Sequence, residues 1–250
     1  MSPGKEIRLN RLLGQDGKTV IVALDHGIAG ITPLAKLERP EPLIRAVTEN
    51  GADALLITPG LARSFSGLFG RVGIIVRVDC GPTALTGEWS DNKPALTVED
   101  AVRLGADAVA AMGIVGAPGE SASLQALANL ASHCDRWGVV LLAEMLPGGF
   151  AASEISVDQI AVAARVGAEV GADLIKIRYS GSVESFRTVT NNCYRPVVVL
   201  GGSKQSSEQL LSSTREALTA GAKGVAVGRN VWQSADPGGI TASLVEAVHG

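Results

Sequence analysis

The segment Asp173-Leu174-Ile175-Lys176-Ile177-Arg178-Tyr179 reads as a strand with a lysine at its centre, and Lys176 is the first side chain whose placement suggests chemistry. Lysine is rarely buried without a partner or a task. Alternation along a strand puts Ile175 and Ile177 on one face and Lys176 and Arg178 on the other. Away from water and close to other cations an ammonium is disfavoured, and the neutral amine is a nucleophile. Such an amine attacks a ketone to give an iminium ion, an electron sink beside which a carbon–carbon bond breaks or forms. The reaction needs a group that moves protons; Asp25 and Glu144 are candidates, with Tyr179 further along.

More charged residues interrupt apolar strand-like runs in the same way. Asp25 ends the run 19–25, Arg77 and Asp79 share a parity in the run 74–79, and Glu144 sits late in the run 139–145. With Lys176 and Arg178 they make three anions and three cations that would meet if their strands end side by side. They would form either a polar active site or a structural ion network. His26, next to Asp25, is a proton carrier or a hydrogen-bonded loop residue.

Two glycine-rich stretches suggest anion binding. Gly201-Gly202-Ser203-Lys204 and Gly228-Arg229-Asn230 each follow an apolar run. Glycines let backbone N–H groups approach an anion, and Lys204 and Arg229 add charge. A small phosphorylated carbonyl compound, with an aldehyde as acceptor, is the expected substrate pair.

The elements that would position these residues alternate regularly. Strands are expected at residues 19–25, 54–58, 74–79, 108–112, 139–145, 174–179, 196–200 and 224–227, with helices between most of them. An internal repeat marks four helix-to-strand passages: Gly51-Ala52-Asp53, Gly105-Ala106-Asp107, Gly171-Ala172-Asp173 and Gly221-Ala222-Lys223. In each, glycine caps the helix and an exposed charge is expected before the strand. Short apolar strands separated by helices imply a parallel sheet covered by helices. Eight such units in 250 residues favour one closed (β/α)8 barrel over residues 1–250, with residues 1–18 as a polar lead-in. In that fold active sites lie at the C-terminal strand ends, and phosphate is often held after strands seven and eight.

Composition narrows the function classes. The chain is 46% hydrophobic with a net charge of −3, so no long-range attraction for nucleic acid or an anionic membrane is expected. No stretch approaches the roughly 20 apolar residues of a membrane span. Cys80, Cys134 and Cys193 lack paired spacing, and no His or Cys pair has ligand spacing, so neither a disulfide framework nor a metal is expected. A reducing cytoplasm fits this cysteine usage. Lys5, Lys18, Lys36, Lys93 and Lys223 fall at loops or element edges and read as solvated. His133 and His249 read as structural or solvent-facing, and Trp89, Trp137 and Trp232 as packing residues.

Four motifs in order carry a resemblance to a known family. Val22-Ala23-Leu24-Asp25-His26-Gly27, Asp173-Leu174-Ile175-Lys176 with Tyr179, Leu200-Gly201-Gly202-Ser203-Lys204 and Val227-Gly228-Arg229-Asn230-Val231-Trp232 resemble the archaeal-type class I fructose-bisphosphate aldolases. That group includes the aminodideoxy-heptulosonate synthase-like aldolases of aromatic precursor biosynthesis. The resemblance implies a Schiff base on Lys176 with no other cofactor, acid–base work by Asp25, a phosphate cradle of Gly202, Lys204, Gly228 and Arg229, and a homo-oligomer. Dihydroxyacetone phosphate is the donor it suggests.

Two positions depart from the family pattern. Leu146 stands where the family has a tyrosine before proline, and Gly148 where it has an arginine. Leu146 cannot move a proton, so Glu144, Tyr179 or a water takes that role, or the reaction differs from bisphosphate cleavage. Two further readings stay open: acyl transfer or thiolytic cleavage of a phosphorylated diketone, and a sugar-phosphate isomerase or binding barrel in which Lys176 is only an ion-pair partner.

Overall fold

A computed structural model describes residues 1–30, 33–86, 92–150, 152 and 154–250. Trp89 lies outside the described residues. Eight parallel strands close into a barrel: β1 (Thr19–Ala23), β2 (Ala54–Ile57), β3 (Gly73–Arg77), β4 (Ala108–Val115), β5 (Val140–Pro147), β6 (Leu174–Arg178), β7 (Val197–Leu200) and β8 (Gly224–Val227). Each strand pairs with its sequence neighbours, and β1 closes on β8 with Thr19 opposite Gly224 and Val22 opposite Val227. This is the (β/α)8 barrel that the alternating pattern predicts.

The helices are α1 (Pro3–Leu12), α2 (Pro40–Glu49), α3 (Pro59–Phe65), α4 (Val98–Arg103), α5 (Glu120–Trp137), α6 (Val157–Glu169), α7 (Val183–Asn192), α8 (Ser207–Thr219), α9 (Arg229–Trp232) and α10 (Pro237–His249). Local chemistry sets their starts. Ser156 with Gln159 and Ser206 with Gln209 form capping boxes that satisfy backbone N–H groups at the first turns of α6 and α8.

Strand alternation divides the apolar residues into two cores. Side chains such as Ile21, Leu56, Ile75, Ala110, Leu142 and Leu174 fill the barrel interior. Their neighbours, including Val20, Leu55, Val76, Leu141, Ile175 and Ile177, pack outward against the helices. The interior set ends where the polar residues begin: Leu174 belongs to it, and Lys176 is the next inward residue on β6.

The structure departs from the sequence expectations at several places. The polar lead-in is a helix, α1, started by Ser2 and Pro3, and it plugs the N-terminal end of the barrel with Leu12, which joins the interior core. Lys5 is therefore not solvated: it is 2% exposed, and its ammonium lies 2.5 Å from Asp135 and 2.7 Å from Asp173. The repeat charges are not all exposed either, since Asp107 and Asp173 are buried and Asp53 is half-buried.

These aspartates have a common task at the barrel floor. Asp53 accepts the Val20 N–H at 2.6 Å, Asp107 the Ile74 N–H at 3.1 Å and Asp173 the Leu141 N–H at 2.9 Å. Each stitches the start of an even strand to a preceding odd strand, with a cationic or histidine partner from a chain end: His249, Arg11 and Lys5 respectively. Trp137, expected in packing, is 45% exposed and donates to Glu99 Oε1 at 2.8 Å.

Strand three also ends earlier than its apolar run. β3 stops at Arg77, and Asp79–Cys80 pairs antiparallel with Lys93–Pro94 in a short hairpin over the mouth. β4 and β5 run longer than expected, to Val115 and Pro147.

Candidate active site

The closed barrel brings the charged strand-end residues to one place. Lys176 on β6 is a register partner of Glu144 on β5, and its Nζ lies 2.7 Å from Glu144 Oε1. The other Glu144 oxygen accepts from an Arg77 terminal nitrogen. Arg77 Nε donates to Asp25 Oδ2 at 2.8 Å, and its Nη1 to Asp79 Oδ1 at 3.3 Å. Asp79 Oδ2 accepts the backbone N–H of Met112 at 2.9 Å and the Asn92 amide at 3.1 Å, which ties the hairpin to β4.

This cluster is buried: Arg77 is 2% exposed, Lys176 4%, Asp79 4%, Asp25 6% and Glu144 9%. Burial alone would raise both the Asp25 and Glu144 carboxyls. Arg77, with His26 and Lys176, outweighs that and holds Asp25 well below the usual carboxylate range. Lys176 and then Arg77 do the same for Glu144, whose carboxyl is held below its ordinary value. Glu144 is thus a carboxylate in contact with the lysine nitrogen.

The second constellation forms the adjoining wall. Asn230, 2% exposed at the start of α9, donates to the carbonyls of Gly201 at 2.8 Å and Ser203 at 3.1 Å, and accepts the Gln205 N–H at 2.9 Å. Lys204 Nζ reaches the Asn230 carbonyl at 3.3 Å. One asparagine therefore locks the loop after β7 onto the loop after β8. Gly228 permits the close approach there, because a Cβ would stand 3.0 Å from the Ala23 carbonyl oxygen and closer still to His26 Cε1. Gly202 has φ +64°, a left-handed conformation that suits glycine. Arg229 Nε is buried with no hydrogen-bond partner among the described residues.

All the residues singled out in the sequence line one cavity of about 960 Å³ at the C-terminal mouth: Asp25, His26, Arg77, Asp79, Glu144, Lys176, Arg178 and Tyr179, with Gly201, Gly202, Ser203, Lys204, Gly228 and Arg229. They do not all face one reacting centre. Tyr179 donates its hydroxyl to Glu216 Oε2 on α8 at 2.8 Å, and its ring meets Phe186 edge-on at 5.2 Å. Burial and the Glu216 carboxylate push the phenol above its ordinary pKa. His26 meets Trp232 edge-on at 5.4 Å, with Nδ1 3.5 Å from Asp25 Oδ1, and so forms a wall between the first and last loops. Arg178 carries no hydrogen bond or ion pair among the described residues.

Sequence reasoning did not single out Asn230, Asn92 or Met112. Asn230 was visible only as the polar residue after Gly228-Arg229, and nothing local reveals that its amide spans two loops. Leu146 lines the cavity at the position where a tyrosine is usual. Among the described residues no group of three or more His, Cys, Asp or Glu side chains is arranged to hold a metal ion. No described helix is long and apolar enough to cross a membrane.

A buried lysine paired with a carboxylate at the C-terminal mouth of a parallel barrel, facing glycine-and-cation loops after β7 and β8, is the arrangement of a class I aldolase. Known proteins agree with that class. The chain belongs to the DeoC/LacD family of aldolases, whose model matches residues 19–234. It is 41% identical over 246 residues to the 2-amino-3,7-dideoxy-D-threo-hept-6-ulosonate synthase of Halobacterium salinarum, covering 98% of this chain and 92% of that protein. Against the 2-amino-4,5-dihydroxy-6-oxo-7-(phosphonooxy)heptanoate synthase of Streptomyces griseus the identity is 35%, over 98% of this chain and 90% of that one.

Among solved structures, an archaeal fructose-1,6-bisphosphate aldolase with its catalytic lysine covalently bound to the carbinolamine intermediate superposes with a TM-score of 0.88 at 31% identity. That match covers 99% of this chain and 100% of the other. The protein is a lyase of the class I aldolase type.

Proposed function

We propose that this enzyme joins dihydroxyacetone phosphate to an aldehyde, or cleaves the product, through a Schiff base on Lys176. The observation that carries the reading is the contact between Lys176 Nζ and Glu144 Oε1 at 2.7 Å, on the floor of a cavity walled by the Gly201–Lys204 and Gly228–Arg229 loops. The phosphate is assigned to the backbone of Gly201, Gly202, Ser203 and Gly228 with the charges of Lys204 and Arg229.

Glu144 takes a proton from Lys176, and the free amine adds to the donor ketone. The carbinolamine then loses its hydroxyl as water, with the proton returned by Glu144, and an iminium remains. Loss of a proton from the neighbouring carbon to Asp25 gives an enamine, whose carbon attacks the aldehyde; the proton passes to the new alkoxide, and water hydrolyses the iminium to free the product and the Lys176 amine. Asp25, the second of the cavity's carboxylates in this reading, is assigned to the new hydroxyl.

The product named for the Streptomyces relative supports this donor. Its ketone lies at C6, its hydroxyls at C4 and C5 and its phosphate on C7, so the bond an aldolase makes is C4–C5. The two pieces are dihydroxyacetone phosphate and a four-carbon aldehyde that carries an amino group and a carboxylate. For this chain we assign that type of acceptor, with Arg178, a cavity cation that carries no hydrogen bond or ion pair among the described residues, set against its carboxylate. A homo-oligomer belongs to the same reading and is measured by sedimentation. Incubation with dihydroxyacetone phosphate and a panel of aldehydes, read by product mass, tests the assignment: condensation confined to amino-acid aldehydes supports it, and no condensation with any aldehyde refutes it.

A further inference from the structure

We propose that Arg77 is a positioning residue that divides the proton-transfer work between two carboxylates. By holding one oxygen of Glu144 and one of Asp25 it leaves the other Glu144 oxygen to the Lys176 nitrogen and the other Asp25 oxygen to the carbon side of the substrate. The inference rests on Lys176 being the Schiff-base lysine.

The geometry is specific. The Arg77 fork contacts Asp25 Oδ2, Asp79 Oδ1 and Glu144 Oε2, which leaves Glu144 Oε1 and Asp25 Oδ1 outside its hydrogen bonds. Glu144 Oε1 is on Lys176 Nζ, and Asp25 Oδ1 is 3.5 Å from His26 Nδ1, clear of the arginine. Asp79 anchors the arginine from behind and is itself fixed by the Met112 N–H and by Asn92. A guanidinium suits this task because its planar fork holds separate carboxylates in fixed directions.

The charge count also separates a working cluster from a structural one. Three carboxylates (Asp25, Asp79 and Glu144) face two cations, Arg77 and Lys176. A neutral Lys176 with all three carboxylates ionised would leave the buried cluster further out of balance, so the proton that leaves the lysine is retained on Glu144. Glu144 returns it to the carbinolamine hydroxyl, which departs as water, and the iminium restores the cation beside the carboxylate. In cleavage, Asp25 accepts the hydroxyl proton as the carbon–carbon bond breaks.

The groups that face Glu144 are Arg77 from β3, Lys176 from β6 and Asp25 from the loop after β1. β4 presents the uncharged Met112 opposite it, and Asp79 acts through Arg77. Removing the Arg77 charge leaves burial less opposed, so the acid limb of Glu144-dependent steps moves to higher pH.

The test uses the full chain and 2,4-pentanedione, which condenses with a nucleophilic lysine without any phosphorylated substrate. The rate of adduct formation at Lys176 is followed against pH in wild type, Arg77→Met and Arg77→Lys, alongside kcat and KM for the phosphorylated donor. The inference expects the acid limb to shift upward in Arg77→Met. Arg77→Lys keeps the charge but not the fork, so its limb stays near wild type while kcat falls at least about tenfold and KM moves less.

An unmoved limb in Arg77→Met, or wild-type kcat in Arg77→Lys, overturns the inference. If Arg77→Met does not fold, Arg77→Lys decides. If wild-type Lys176 itself does not react, it is the Schiff-base reading that fails.

Discussion

Glu144 and Lys176 are register partners on adjacent strands, and a carboxylate oxygen of one lies 2.7 Å from the nitrogen of the other. No phenol shares this contact, because Leu146 lines the cavity where a tyrosine is usual and Tyr179 is bonded to Glu216. The Glu144→Gln variant keeps the size and loses the base. Its kcat is expected to fall by about 10²–10⁴-fold, the usual worth of a proton-transfer group, with a smaller change in KM. Slowed borohydride trapping at Lys176 in the same variant would place the defect at Schiff-base formation.

Tyr179→Phe separates the two candidate proton donors. Its hydroxyl serves Glu216 on α8, so the variant is expected to lose about 0.5–1.5 kcal/mol of stability and to keep kcat within a few-fold of wild type. Urea unfolding and steady-state kinetics measure both. A drop in kcat comparable to that of Glu144→Gln would return Tyr179 to the chemistry.

Asn230 is expected to act on the donor's phosphate through the loops it joins. In Asn230→Ala the Gly201 and Ser203 carbonyls and the Gln205 N–H lose their partner. KM for the phosphorylated donor should rise more than kcat falls, with about 1–3 kcal/mol lost from stability. Kinetics with a donor lacking phosphate provides the control, since its KM should change little.

The cluster also sets the acid stability. Asp25 and Glu144 are both held below their ordinary values of 3.8 and 4.5 in the folded protein. A depressed carboxyl contributes stability that is present above its unfolded pKa and is lost as pH falls through the folded one. Stability should therefore decline as the pH drops below about 5. Glu144→Gln should flatten that decline when unfolding free energy is measured by urea titration across this range, and an unchanged slope would contradict the assignment.

Much of this was legible in the sequence, for reasons that can be named. Parity along a strand is fixed by the backbone, so Arg77, Glu144 and Lys176 could be placed on inward faces before any coordinates, and the Gly-Ala-Asp repeat, with Gly-Ala-Lys as its fourth member, marked four helix-to-strand passages. The failures lie where tertiary contacts decide. Lys5 looked solvated because nothing local shows that α1 plugs the barrel and carries it to Asp135 and Asp173. Asp107 and Asp173 looked exposed because the strand N–H groups they accept belong to distant segments. Tyr179 lies just past the end of β6, where parity no longer governs direction, and its ring turned to Phe186.

The central claim is that Lys176 carries the substrate. The direct measurement is borohydride reduction in the presence of dihydroxyacetone phosphate, followed by peptide mass spectrometry of wild type and Lys176→Met. The account predicts a reduced adduct on the peptide containing Lys176, no adduct in the variant, and a loss of turnover on the order of 10⁴-fold or more. An unmodified Lys176 in wild type, together with full turnover in Lys176→Met, would contradict it.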